Sequence, residues 1–454
     1  MDGLHPSLPH HIVNVLGRKS LRPLQESAFG PVIDGSDALL LDPTAGGKTE
    51  AAMFPLLSAM AAKNWTGLSV LYVCPLKALL NNLLPGLETY AAWLGRWQRI
   101  LADPPDILLT TPESIESMLV SAKVDHTTLF RGLRAVVVDE VHAFACDDRG
   151  WHLLCVLERL TGVAGRPIQR VGLSATVGNP RELLAWLQGP AAGQRAGSVV
   201  APEAGAPAEP SIELDHVGSV ENAAKVISAL HRGEKRLVFC DSRRLVEQLG
   251  AALRALGVTT FLSHASLSLD ERRRAEEAFA DARDCVIVAT STLELGVDVG
   301  DLDRVIQVNA PPTIGSFLQR LGRAGRRAGS TRNCLFLAIG REDVLAIAAL
   351  LLQWSRGFVE PVTAPPEPRH IVAQQFLAPC LQEKQVGEKL WSEWWGGLAP
   401  FERPPRSHAT SSRRGISTPT TACCSSGRRP RSGSAASTSA TSLPSSRPHR
   451  SSRC

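Results

Sequence analysis

Short apolar runs alternate with longer stretches of helical period along most of the chain. In the first half, strand-length runs fall at 38–41, 68–73, 106–110, 134–138 and 169–173, with helix-like stretches such as 76–94 and 180–188 between them. Strands separated by helices predict a parallel sheet, and continuous runs such as Val136-Val-Val138 predict burial on both of its faces. An Ala/Gly/Pro-rich stretch at 190–210 interrupts the pattern and reads as a loop or linker. A second alternating block follows, with strands expected at 236–240, 259–262, 285–289, 304–308 and 333–338. Residues 341–400 look helical and hold the cluster Trp391-Ser-Glu-Trp-Trp395. An apolar helix face seeking a neighbour is favoured there over a base-stacking platform. The expected organisation is an α/β chain of two tandem lobes, 1–195 and 211–345, joined by a linker at 196–210. A partial helical extension at 346–402 and a low-complexity tail at 403–454 complete it.

Two segments of the first block carry chemistry. Asp42-Pro-Thr-Ala-Gly-Gly-Lys-Thr49 follows the apolar run Ala38–Leu41 and precedes a helix-like stretch. A strand, a glycine-bearing loop and a helix N-terminus make a phosphate cradle, because free backbone N–H groups and the helix dipole both favour anions. Lys48 would reach the β- and γ-phosphates there, and the Thr49 hydroxyl would bind Mg²⁺. Val136-Val-Val-Asp-Glu-Val-His142 then delivers Asp139 to the end of a buried strand, where it can hold the metal. Glu140 beside it can take a proton from an attacking water.

A phosphate loop alone also fits kinases, GTPases and transporters. The second block narrows the choice with Gln319-Arg-Leu-Gly-Arg-Ala-Gly-Arg326, whose arginines recur every three residues, nearly on one face of a helix. Arginine fingers stabilise charge on a departing phosphate and contribute roughly 10³–10⁵ in rate. Two lobes closing on ATP would need them; a kinase would not need a second strand-rich half to carry them.

With these residues in place, the chain resembles a superfamily-2 nucleic-acid helicase of the DEAD/DEAH type, in its Lhr-like (large helicase-related) branch. Leu21-Arg-Pro-Leu-Gln25 resembles the adenine-reading glutamine motif, Pro43–Glu50 motif I, Pro75-Leu-Lys-Ala-Leu79 motif Ia, and Thr110-Thr-Pro-Glu-Ser114 motif Ib. Asp139-Glu-Val-His142 is similar to motif II and Ser174-Ala-Thr176 to motif III. Leu237–Arg243 and Ser263–Ser268 resemble motif IV and its extension, Ala289–Asp298 motif V, and Gln319–Arg326 motif VI. The resemblance implies two RecA-like lobes that use ATP and Mg²⁺. It implies that Gln25 reads adenine and that Thr44, Gly46, Gly47, Lys48 and Thr49 bind nucleotide. It makes Lys48, Asp139, Glu140, Arg323 and Arg326 catalytic, with Thr49 and Asp139 on the metal. Ser174, Thr176 and Gln319 would couple the lobes. Pro75, Lys77, Thr111, Pro112, Thr290 and Ser291 would touch a nucleic-acid strand, positioning it without reading sequence. The implied partner is single-stranded DNA or RNA, or a DNA–RNA hybrid, and branch members resemble 3′-to-5′ translocases. Polarity itself is not derivable from these residues.

Composition changes the picture only in part. The net charge is +5, but residues 403–454 hold ten arginines and no lysine, aspartate or glutamate, which leaves 39 basic against 44 acidic residues in 1–402. The basic balance is therefore no argument for nucleic-acid binding. The tail also has 15 serines and almost no large apolar residue, a composition that predicts disorder. Its Arg/Ser/Pro/Thr/Ala/Cys bias fits a slipped reading frame in GC-rich coding DNA better than an RNA-binding arm. The ten cysteines form no C-x-x-C pair, so Cys74, Cys240 and Cys285 are expected as buried thiols in a reducing cytoplasm. No secretory leader is expected from the first residues, and no apolar run reaches the roughly 18–20 residues of a membrane span.

Departures from the family pattern keep alternatives open. Asp42 stands where alanine or glycine is usual, and Ala45 and Ala265 replace common glycines. Nucleotide affinity is expected to survive, since backbone, Lys48 and Thr49 do the binding. Trp93–Ile100 runs almost directly into Asp103–Thr110, so a strand usual between motifs Ia and Ib is missing, which would expose apolar neighbours and unpaired edge groups. The leading expectation is an ATP-dependent helicase or translocase. The rivals are a non-enzymatic fragment that binds nucleotide or nucleic acid without coupling them, and a nucleic-acid-stimulated ATPase without strand separation.

Overall fold

All the described strands run parallel, in two separate six-stranded sheets. The structure is a computed structural model, and it describes residues 3–42, 46–94, 105–202, 209–264, 282, 284–293, 302–325, 331–383, 394–395, 397–398 and 400. Thr44, Arg326, Trp391, the stretch 95–104 and the 403–454 tail lie outside the described residues.

The first sheet contains β1 (Asp37–Leu41), β2 (Val70–Val73), β3 (Ile107–Thr110), β4 (Ala135–Val138), β5 (Gln169–Ser174) and β6 (Gly197–Val200). Their order across the sheet is β3-β2-β4-β5-β1-β6. The register sets Leu39 opposite Gly172 and Val73 opposite Val138. Alternate residues face opposite sides, as a pleated strand requires. Ala38, Leu40, Val70, Tyr72, Val137 and Val171 pack against the helices Pro23–Ile33 and Lys48–Ala62, while Leu39, Leu71, Val136 and Val138 pack against Asp148–Ala164. Burial on both faces is why these strands read as continuous apolar runs.

The second sheet contains β7 (Ser211–His216), β8 (Lys235–Phe239), β9 (Thr260–Ser263), β10 (Cys285–Ala289), β11 (Arg304–Val308) and β12 (Asn333–Ala338), in the order β7-β12-β11-β8-β10-β9. Cys74, Cys240 and Cys285 are buried free thiols. Among the described residues no helix is long and apolar enough to cross a membrane.

Several expectations are corrected. The linker expected from 196 begins with β6, which pairs with β1 and extends the first sheet. It escaped notice because a four-residue edge strand opening on glycine has no apolar run. β7 was missed for the same reason, being an exposed polar edge of the second sheet. The stretch expected to be helical from 341 holds helices at Arg341–Ser355 and Arg369–Glu383, but the intervening residues form neither helix nor strand. Pro361, Pro365, Pro366 and Pro368 explain this, since proline removes the N–H a helix needs and holds its predecessor extended. Trp395 is fully buried, and its indole N–H donates to the Cys155 carbonyl at 3.2 Å. It fills the apolar gap and has no face free for a base.

Beyond β3 no further strand is present among the described residues. An open groove of about 380 Å³ follows that edge, lined by Leu80, Leu84, Ile107, Leu108 and Leu109.

The chain returns from the second lobe to the first. The Arg369–Glu383 helix packs on the helices Pro112–Val120 and Asp148–Ala164 through a buried polar cluster. Arg159 donates to Glu116 at 2.6 Å and to Gln382 at 2.7 Å, and Gln375 donates to Glu116 at 2.8 Å. Burial would raise the Glu116 carboxyl, but bonds from His152, Arg159 and Gln375 outweigh it and lower it to about 2. A lowered carboxyl contributes stability above its ordinary value of 4.5 and loses it as pH falls toward about 2. Glu116→Ala leaves the Arg159 charge buried without its partner, and should cost about 3–5 kcal/mol in urea unfolding at neutral pH. A loss under about 1 kcal/mol would contradict this account of how the returning helix is held.

Candidate active site

Because all strands of a parallel sheet point the same way, the loops that leave their carboxyl ends share one rim. Across the first sheet that rim carries Thr111 after β3, Pro75 after β2, Asp139 and Glu140 after β4, Ser174 ending β5, and Gly46–Thr49 after β1.

At the β1 end, Gly47 precedes the Lys48–Ala62 helix with φ +82°, a left-handed conformation that glycine adopts without strain. A Cβ on Gly46 would lie 2.1 Å from the Asp42 side chain, so this loop position requires glycine. The Lys48 ammonium donates to the Asp42 carbonyl at 2.7 Å, which holds it over the loop. The Asp42 carboxyl is raised by burial, against the lowering pull of Lys48, Arg22 and Arg332. Arg332 belongs to the second lobe; the sequence offered no signal for it because it lies outside any motif. Gln25 is buried, accepts from the Arg22 N–H at 3.1 Å and donates to the Gly47 carbonyl at 3.4 Å. It therefore braces the loop.

At the β4 end, the Asp139 carboxylate accepts from the Tyr72 hydroxyl at 3.1 Å and from the Glu140 N–H at 2.9 Å. Tyr72 also lies 3.4 Å from the Thr49 hydroxyl, so one tyrosine oxygen links the two groups expected to hold a metal. Burial, then the charge of Glu140, pushes the Asp139 carboxyl well above the usual carboxylate range. A carboxylate this deeply desolvated is stabilised by a nearby cation. Among the described residues no group of three or more His, Cys, Asp or Glu could hold a metal by itself. A hydroxyl and one carboxylate instead suit Mg²⁺, which prefers oxygen ligands and takes the rest of its shell from water and phosphate. The residues fit the group.

His142 closes the Asp139-Glu-Val-His142 motif, which by itself gives it no role, and in the fold it joins the lobes. Its Nδ1 lies 2.9 Å from the Ser174 hydroxyl and its Nε2 lies 2.6 Å from the Gln319 amide nitrogen. Ser174 donates its own proton to the Ala175 carbonyl at 2.9 Å, so it accepts from His142, which in turn accepts from Gln319. This chain requires a neutral imidazole. Burial and the charge of Lys48 lower His142 to about 4, which keeps it neutral. Thr176, two residues on, is exposed.

The helix bearing Gln319 ends at Leu321, with Gly322 as its cap, so Arg320 and Arg323 do not share one helical face. Gly325 turns the chain with φ +73°, where a Cβ would sit 2.7 Å from the Arg332 nitrogen. Arg320 is buried within the second lobe, bonded to Gln307 and Asp241 and lying 5.0 Å from the centre of the Phe239 ring. Arg323 is buried in the turn after the helix, and Arg326 lies outside the described residues.

Further along the rim, Pro75, Lys77 and Thr111 line a groove of about 420 Å³ with Glu113, Ser114, Ser117 and Arg149. Pro112 is buried behind it at the start of the Pro112–Val120 helix. Arg149, unmarked by any motif, spans this groove: it donates to the Pro75 carbonyl at 3.0 Å and to Glu113 at 2.7 Å. Thr290 and Ser291 sit apart from this groove, at the carboxyl end of β10 in the other lobe.

A family model of the DEAD/DEAH box helicases matches residues 22–183, and one of the helicase conserved C-terminal domain matches residues 219–328. The chain belongs to the DEAD/DEAH box helicases. Within them it is similar to the Lhr branch. The Lhr helicase/probable uracil glycosylase of Mycolicibacterium smegmatis is 31% identical over 85% of this chain and 30% of its own length. The ATP-dependent helicase Lhr-Core of Methanocaldococcus jannaschii is 28% identical over 82% of this chain and 47% of its own. The structure of Mycobacterium smegmatis Lhr bound to ssDNA and AMP-PNP superposes with a TM-score of 0.75 at 30% identity, covering 90% of this chain and 57% of that one. Mss116p bound to ssRNA and AMP-PNP shares the fold, with a TM-score of 0.64 at 15% identity. The chain thus spans well under two thirds of these Lhr relatives, and its two parallel-sheet domains are the RecA-like pair.

The His142 relay yields a pH expectation for this chain. A lowered imidazole stabilises the folded state fully above its ordinary 6.5 and loses that contribution as pH falls toward about 4. Thermal melts between those limits should show a decline that His142→Ala flattens. An unflattened decline would place the responsible titration elsewhere.

Proposed function

We propose that this chain hydrolyses Mg·ATP between its lobes and uses the cycle to move along single-stranded DNA. The observation that supports it is the His142–Gln319 contact, which ties the strand end bearing Asp139 and Glu140 to the helix leading into Arg323. An ATP-sensing rim in one lobe is thereby bonded to an arginine-bearing segment in the other.

In this reading Lys48 and the amides at the start of its helix bind the β- and γ-phosphates, and Gln25 keeps the loop in shape while presenting adenine with its edge. Thr49 and Asp139 would hold Mg²⁺, which when bound neutralises phosphate charge. Glu140 accepts the proton of the attacking water, and Arg323 with Arg326 stabilises the transferred phosphoryl group. Ser174, Thr176 and Gln319 relay closure between the lobes. The groove at Pro75, Lys77 and Thr111 positions phosphates of one strand through side-chain and helix N-terminal donors, with Pro112 shaping it and Thr290 and Ser291 gripping from the second lobe. Single-stranded DNA is chosen over RNA because the structure of the Mycobacterium smegmatis Lhr relative is bound to it. Translocation is proposed to run 3′ to 5′, by resemblance to the branch.

A second reading, nucleotide and nucleic-acid binding without coupling, draws on the open groove beyond β3, where part of the strand path would be absent.

ATP hydrolysis by the purified chain, with and without single-stranded DNA, separates the two. Stimulation by DNA is expected. Glu140→Gln should bind ATP normally while turnover falls about 10²–10⁴-fold, the usual loss for a general base. Chelating Mg²⁺ with EDTA should abolish turnover. A folded chain that binds ATP without hydrolysing it would favour the second reading.

A further inference from the structure

The helix Ile314–Leu321 has an unusual anchor. A helix start leaves its first N–H groups without partners. Here the cap residue Thr313 accepts from the Ser316 N–H at 3.0 Å. The two remaining amides, Ile314 and Gly315, donate to the carboxylate of Glu360 at 2.8 and 3.2 Å. Glu360 comes from the proline-rich segment that leaves the second lobe, not from the helix's own neighbourhood in sequence. A carboxylate at this end also complements the helix dipole.

The backbone of Glu360 is held by the other lobe. Its carbonyl accepts from the Gly178 N–H at 3.1 Å. Two residues later Val362 exchanges bonds with the Asn179 side chain, donating to it at 2.7 Å and accepting at 2.9 Å. The Trp151 indole then donates to the Pro365 carbonyl at 2.8 Å. The approach at Gly178 is so close that a Cβ there would sit 2.2 Å from the Val359 carbonyl oxygen. Gly178 lies two residues beyond Thr176, in the loop whose Ser174 bonds His142.

These contacts close a ring. Ser174 holds His142, His142 holds Gln319, the helix runs back from Gln319 to Ile314, Glu360 holds that end, and Gly178 returns to Ser174 along the chain. Five residues at about 1.5 Å each separate the two anchor points on the helix. Phe317 and Leu321 pack the helix into the second lobe, and the two anchors tie both of its ends to the first. The four prolines of the strap stiffen it, so that it transmits displacement between the lobes.

We propose that Glu360 is a positioning residue: by clamping the start of Ile314–Leu321 to the loop after β5, it sets the orientation from which Arg323 reaches the nucleotide. This rests on the functional reading given above. Glu360 acts only through the helix and touches no nucleotide.

The test combines kinetics with amide exchange on the full chain. Glu360→Ala should lower the DNA-stimulated kcat by about tenfold or more, since small misplacements of catalytic groups are costly, while KM for ATP changes by less than about twofold. Glu360→Gln keeps one acceptor oxygen and should recover part of the loss. Amide exchange in 314–321 should quicken by about fivefold in Glu360→Ala, as expected for a lost cap. Gly178→Ala, which pushes the strap away by its backbone, should reproduce the kinetic loss. Combining it with Glu360→Ala should add little, because both break one linkage. Unchanged kcat or unchanged exchange in Glu360→Ala overturns the proposal, as does a loss that falls on KM alone. A wild-type chain without ATP turnover takes down the functional reading, and this proposal with it; a working wild type beside an indifferent Glu360→Ala takes down only the proposal.

Discussion

Parallel strands buried on both faces have polar backbone exits at one edge only, and the candidate site of the first lobe depends on that constraint. β1, β2, β4 and β5 lie side by side with their faces covered by helices, so the loops that follow them emerge together. Lys48, Pro75, Asp139 and Ser174 are distant in sequence but neighbours along this rim. The second sheet repeats the arrangement, which places Thr290 at the corresponding end of β10.

Charge at the rim is balanced locally rather than by the overall composition. Asp139 and Glu140 are adjacent acids, and Asp42 is a third within the phosphate loop. Lys48, Arg22 and Arg332 oppose them, yet burial still raises Asp42 and Asp139. An acid-heavy, desolvated rim favours a nearby cation. The aspartate that departs from the family pattern packs beside Gly46, and its own carbonyl orients Lys48.

The lobes are joined by bonds that no single lobe could make. His142 reaches Gln319 across the interface, and the strap carries Glu360 to the helix start. Farther on, Arg159, Glu116, Gln375 and Gln382 lock the returning helix onto the first lobe. None of these interface bonds pairs two charged groups: His142 is neutral, and the Glu360 carboxylate meets backbone amides. A buried ion pair serves at the anchor, where breaking it would leave a charge unpaired.

The sequence by itself determined the sheets and the phosphate loop, because those rest on local rules. Continuous valine and leucine runs are what doubly covered strands demand, and Gly46, Gly47 and Lys48 are what a left-handed turn into a helix demands. The edge strands β6 and β7 were not legible, since neither carries an apolar run and β7 is polar and exposed. The arginine face was misjudged because spacing alone does not show that the helix stops at Leu321. Arg149, Arg332 and Glu360, and the role of His142, became visible only in the fold. Each acts on residues far away in sequence, and a long-range hydrogen bond or charge contact leaves no periodic trace in the chain that makes it. Tertiary packing decided those partners, because only folding brings the rim, the strap and the second lobe within bonding distance.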